Sequence, residues 1–110
     1  MRSPSLIILV FLAVASVTPL SASANEAVLV IENHRFQPEI ITVPANQRVR
    51  LSIENRDATP EEFESHDMKR EKVIPGNTTA TVWIGPLEPG EYGFVGEFNE
   101  DTAKGAVIAK

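Results

Sequence analysis

The stretch Arg48-Val49-Arg50-Leu51-Ser52-Ile53-Glu54 decides the fold. It alternates strictly, with Val49, Leu51 and Ile53 on one side and charged or hydroxyl side chains on the other. A period of two is the mark of a strand with one buried face. Outward from it, β-rich runs recur between turn signals. Ala27-Val28-Leu29-Val30-Ile31 precedes it, and Glu39-Ile40-Ile41-Thr42-Val43 runs into Pro44-Ala45-Asn46. Thr79-Ala80-Thr81-Val82-Trp83-Ile84 follows Pro75-Gly76-Asn77, Glu91-Tyr92-Gly93-Phe94-Val95 starts at Pro89-Gly90, and Gly105-Ala106-Val107-Ile108-Ala109 comes last. Pro presets the first corner of such turns and Gly relaxes the second. No window carries a helical period, so the pattern predicts an all-β, antiparallel sandwich of about six or seven strands. Phe36, Trp83, Tyr92 and Phe94 are expected in its core. Residues 57–71 are polar, charged and long for a connection, which reads as a functional loop or solvated crossover.

The chain has 110 residues, enough for one small domain. It has no Cys, which removes disulfides, thiolate metal sites and thiol catalysis together. Ten Lys and Arg face fifteen Asp and Glu, a net charge of −5. A nucleic-acid binder needs the opposite balance to displace counterions from phosphates. Residues 1–24 have the three parts of an export signal: the basic Arg2, an apolar run over 6–15, and the small triplet Ala22-Ser23-Ala24. The apolar run is too short to span a bilayer. Cleavage after Ala24 would release residues 25–110 to the periplasm as one domain, and losing Arg2 would take the net charge to −6.

Two motif blocks bring a family into view. Phe36-x-Pro38-x-x-Ile41-x-Val43 with Val49-x-Leu51-x-Ile53-x-Asn55 resembles the opening of a cupredoxin, and Pro89-Gly90-x-Tyr92-x-Phe94 with Gly105 resembles its closing half. The resemblance implies a cupredoxin-like, Greek-key antiparallel β-sandwich of about six to eight strands. It also implies a metal site at one end, built by the loops at 33–38, 57–68 and 96–104. The ligands of a blue-copper centre are a thiolate, two imidazoles and a weak axial thioether. The family pattern places the thiolate at Gly96, one imidazole at Asn99, the other near Glu61 and Glu62, and the axial ligand near Ala103. Without a thiolate, blue-copper electron transfer is excluded.

Harder ligands stand in the same loops. Asp57, Glu61, Glu62, Glu64, His66, Asp67 and Met68 lie in the middle one, and Glu97, Asn99, Glu100 and Asp101 in the closing one. Carboxylates with an imidazole suit iron, Mn(II) or Cu(II). Close carboxylates repel one another unless a cation sits among them. The expected metal ligands are Glu61, Glu62, His66, Met68, Glu97, Glu100 and Asp101, holding a copper or iron ion. On a strand, one of Glu61 and Glu62 faces inward and the other outward, and the sequence leaves open which. Arg35, Lys69, Arg70 and Lys72 are the basic groups that could neutralise the cluster instead. His34 is expected near the same end in a structural role.

Glu62-Phe63-Glu64-Ser65, Arg70-Glu71-Lys72-Val73-Ile74 and the closing stretch from Gly96-Glu97-Phe98 to Lys104-Gly105 further resemble the EfeO-type cysteine-free cupredoxin-like proteins. Some of these accompany Ftr-type bacterial ferrous iron permeases. That resemblance implies a periplasmic accessory of ferrous iron uptake that binds copper or iron and promotes Fe(II) oxidation before transport. Its partners would be metal ions, an inner-membrane iron permease and a periplasmic iron-binding protein. The other readings are a copper or iron buffer or metallochaperone without turnover, and a metal-free interaction domain.

Overall fold

Strict alternation over 48–54 becomes a central strand of a two-sheet sandwich in the computed structural model, which describes residues 3, 5 and 25–110. The export signal expected over 1–24 lies, those two positions apart, outside the described residues. In chain order the strands are β1 (Glu26–Glu32), β2 (Arg35–Gln37), β3 (Ile40–Val43), β4 (Val49–Asn55), β5 (Glu61–Ser65), β6 (Arg70–Ile74), β7 (Thr79–Ile84), β8 (Gly90–Gly96) and β9 (Lys104–Ala109). A 3-10 turn, Glu97–Asn99, interrupts them. One sheet runs β2-β1-β4-β7 and the other β3-β9-β8-β5-β6.

The all-β sandwich is as expected, with two refinements. Among the described residues there are nine strands, because 57–71 is not a loop. It contains β5 and the start of β6. The pairing is also mixed, since β1 lies parallel to β4 and β3 parallel to β9. The remaining pairs are antiparallel.

Alternation sorts the two faces. Val49, Leu51 and Ile53 of β4 are buried with Leu29 and Ile31 of β1 and Val82 and Ile84 of β7. Across the sandwich they meet Phe63, Ile74, Phe94 and Val107. Phe36, Phe63 and Phe94 form an aromatic triangle with ring centroids 4.9 to 6.3 Å apart, two of the three contacts edge-to-face. Such pairs contribute roughly 0.5–1.5 kcal/mol beyond the area they bury. Trp83 corrects the sequence expectation. It is 44% exposed, because Val82 and Ile84 take the inward positions of β7 and parity turns Trp83 outward. The Arg48 guanidinium stacks over its ring at 4.1 Å. Tyr92 is half-buried at the margin of the core and donates its hydroxyl to the Glu88 carbonyl.

The turn between β1 and β2 fixes one wall of the loop end. Asn33 and His34 are both left-handed, with φ of 55° and 57°. A tight hairpin needs that geometry, and His adopts it less readily than Asn or Gly. The Asp57 carboxylate compensates by accepting the backbone N–H groups of both residues, at 2.8 and 2.9 Å. The aromatic triangle is the part of the core most sensitive to truncation. Phe63→Ala is expected to cost about 3–5 kcal/mol, read as a lowered denaturation midpoint at unchanged slope.

Candidate metal site

Residues 61–65 settle the question left open at Glu61 and Glu62. In β5 the inward side chains are Glu61, Phe63 and Ser65, and the outward ones are Glu62 and Glu64. Neighbouring β8 ends at Gly96, paired with Phe63, and the chain then turns through Glu97–Asn99. This brings Glu97 over the outer face of β5. One carboxylate oxygen from each of Glu62, Glu64 and Glu97 lies within 4.8 Å of the others. Glu71 of β6 stands opposite Glu64 in register and adds a fourth negative charge. The His66 imidazole follows on the same edge, with Nε2 3.4 Å from Glu64 and the ring 91% exposed.

The electrostatics show that these groups face one another. The Glu62 carboxyl is pushed above its ordinary value, first by loss of solvent and then by the charge of Glu97 and a hydrogen bond with it. Glu64 is raised first by its hydrogen bond with Glu97, then by desolvation and by the Glu97 charge, while His66 pulls it back down. Among the described residues no Lys or Arg lies within ion-pair distance of this triad. Arg70 spends its guanidinium on the carbonyls of Trp83 and Lys69.

The other expected ligands are placed elsewhere. Glu61 is 1% exposed, and its carboxylate is fully engaged. Oε1 accepts the backbone N–H groups of Glu62 and Phe98, both at 2.9 Å, and Oε2 accepts the Asn99 side-chain amide at 2.6 Å. Met68 is a core residue, 7% exposed. Glu100 and Asp101 are exposed beyond the 3-10 turn, where they line a surface hollow with Asn33, His34, Thr102 and Glu97, but they do not join the three carboxylates that converge. His34 is structural: its carbonyl accepts the Thr102 hydroxyl, and its ring lies 3.6 Å from Asp57. Thus Glu62, Glu97 and His66 of the expected set share one surface, and Glu64 joins them. Once 61–65 is read as a strand, the two-residue spacing from Glu62 is the signal that finds Glu64.

This architecture is that of a recognised family. The chain matches the model of the Cupredoxin-like domain over residues 5–109, and it belongs to that family. An uncharacterized protein of Rickettsia prowazekii (strain Madrid E) is 43% identical over 83 residues, which are 76% of this chain and 66% of that protein. The chain therefore spans just under two thirds of that relative's length. Among solved structures, a copper binding protein in its apo form is similar at a TM-score of 0.68 and 21% identity, covering 77% of this chain and 86% of that one. Auracyanin A, a blue copper protein of Chloroflexus aurantiacus, gives 0.66 at 14% identity over 77% and 98% of the two chains. The metal binding domain of the Cu(I)-exporting P-type ATPase CopA of Streptococcus pneumoniae gives 0.65 at 13%, over 77% and 84%. At such identities these likenesses establish the fold.

The copper that this fold family implies does not fit the interior of this chain. Of the positions the family pattern assigns to ligands, Glu61, Gly96, Asn99 and Ala103 do come together. Yet Asn99 is hydrogen-bonded to Glu61, and a Cβ at Gly96 would fall 2.7 Å from both the Ala103 Cβ and the Glu61 Cδ. The donor set is one committed carboxylate and one amide, closed by packing. No chemistry is routed through copper at that place.

The raised values of Glu62 and Glu64 carry a stability consequence. Both hold protons more tightly in the fold than in the unfolded chain. The stability this contributes is fully present below the ordinary value of 4.5 and is lost as pH rises through the raised folded values. At neutral pH the three charges repel. In chelator, Glu97→Gln is therefore expected to raise the thermal midpoint at neutral pH, and the gain should vanish below 4.5. Scanning calorimetry across pH checks this, and a flat difference would show that the carboxyls do not interact.

Proposed function

We propose that this chain is an exported metal-handling domain serving ferrous iron uptake, and that it binds its cation on the outer face of the sandwich rather than inside it. The observation that carries the reading is the Glu62, Glu64 and Glu97 triad, three carboxylates within 4.8 Å with no Lys or Arg partner among the described residues. A cation relieves their repulsion, and an all-oxygen set with one nearby imidazole suits iron, with Cu(II) as the competitor. The similarity to copper-binding structures and the resemblance to EfeO-type proteins support metal handling. The net negative charge supports capture of cations by raising their local concentration.

The triad accounts for binding of the cation. Oxidation of Fe(II) held there would take an acceptor from solution, such as dioxygen. A second reading, a metal-free interaction domain, is favoured by the closed interior at Glu61, Gly96 and Asn99.

Anaerobic calorimetric titration of the purified protein with Fe(II), and separately with Cu(II), tests the proposal. One saturable equivalent is expected, abolished in Glu97→Gln and in Glu62→Gln and weakened in His66→Ala. Absence of saturable heat with either metal in the wild type would leave the interaction-domain reading in its place.

A further inference from the structure

We infer that Glu61 is the positioning residue of the exterior triad: from inside the sandwich its carboxylate fixes Glu97 against Glu62 and Glu64. This rests on the cation-binding reading above, which it deepens. The hydrogen bonds carry the argument. Oε1 accepts two backbone N–H groups, one from the peptide joining Glu61 to Glu62 and one from the peptide joining Glu97 to Phe98. A single oxygen thus grips the backbone beside two members of the triad, at 2.9 Å each. Oε2 takes the Asn99 amide at 2.6 Å and so holds the far end of the 3-10 turn on which Glu97 stands.

The surroundings make the grip rigid. Glu61 is among the largest fully buried side chains, so no water competes for its acceptors. Asn99 passes the constraint onward, because its carbonyl accepts the N–H groups of Thr102 and Ala103, and the Ala103 carbonyl accepts the N–H of Gly96. The close approach of Glu61 to the chain at Gly96 requires a residue without a side chain there, since a Cβ would lie 2.9 Å from Oε2. Three mutually repelling carboxylates would otherwise splay apart, and the turn bearing Glu97 contains no buried residue of its own to anchor it. The anchor is Glu61.

Two readouts on the full protein test this. In anaerobic Fe(II) titration, Glu61→Ala is expected to weaken binding about 10- to 100-fold, the range found when a residue orienting metal ligands is lost. Glu61→Gln should keep wild-type affinity: its side-chain carbonyl still accepts both backbone N–H groups, and its amide can pair with the Asn99 carbonyl oxygen after that side chain turns over. The second readout needs no metal. The chain has no Cys, so nitroxide labels attached through the exposed positions Val73→Cys, opposite Glu62, and Phe98→Cys, next to Glu97, report how the turn is held against the sheet while leaving all three carboxylates in place. Strong dipolar broadening is expected with Glu61 present and with Glu61→Gln, and its loss with Glu61→Ala. If Glu61→Ala does not fold, Asn99→Ala, which removes one of the three donors, replaces it in both readouts. Wild type that binds no metal overturns the cation reading, while the label spacing still decides the role of Glu61. A folded Glu61→Ala protein with unchanged spacing and unchanged affinity overturns the positioning role.

Discussion

A carboxylate can be kept inside a β-sandwich only if donors surround it, because taking an ionised group out of water costs several kcal/mol even after the protein relaxes. Glu61 meets that condition with three donors, and much of the loop end is arranged around meeting it. Position 96 must be bare, position 99 must carry an amide, and the turn between them must close tightly enough for its N–H groups to point inward. The same constraint determines what the end of the sandwich cannot be. The volume in which the family pattern would gather metal ligands is taken up by side chains bonded to one another.

The alternation of β5 transmits that interior arrangement to the surface. With Glu61 and Phe63 directed inward, Glu62 and Glu64 must point out, two residues apart on one strand. Glu71 stands opposite on β6, and Glu97 arrives from the end of β8. Like charges placed across a ladder are ordinarily avoided. Here they accumulate beside an imidazole, while Arg70 is turned away to the edge of the other sheet. The surface that results is unfavourable for the protein alone and favourable for a cation.

Legibility in the sequence followed the contrast between faces. β4 is readable because apolar and polar residues alternate along it without interruption, and β7 and β8 because β-branched and aromatic runs follow the turn signals Pro75-Gly76-Asn77 and Pro89-Gly90. β5 was hidden because its inward set, Glu61, Phe63 and Ser65, contains one apolar residue among polar ones. β6 was hidden for a related reason: four of its five residues are exposed on an edge strand, so no periodicity marks it. Trp83 departs from the rule that a large aromatic ring is core, because parity along β7 sends it outward. Pairing direction is also invisible to a period-two pattern, which is why the parallel pairs β1–β4 and β3–β9 emerge only from the three-dimensional arrangement. At the site, the sequence named the two acidic loops and most of their carboxylates. It could not tell which side of the sheet each would occupy until 61–65 was known to be a strand.

The place of β9 bears on how the domain is made. β9 lies between β3 and β8, and among the described residues it is the only strand to which β3 is bonded. A nascent polypeptide that extends only to residue 103 therefore holds β3 as an unsatisfied edge, and the five-stranded sheet stays divided. Pairing of Ile40 with Ala106 and of Val43 with Ala109 spans more than sixty positions of sequence, a separation that makes closure a late event. Such a chain stays open along this sheet while it is being synthesised, and the sheet closes only after residues 104–109 have been added.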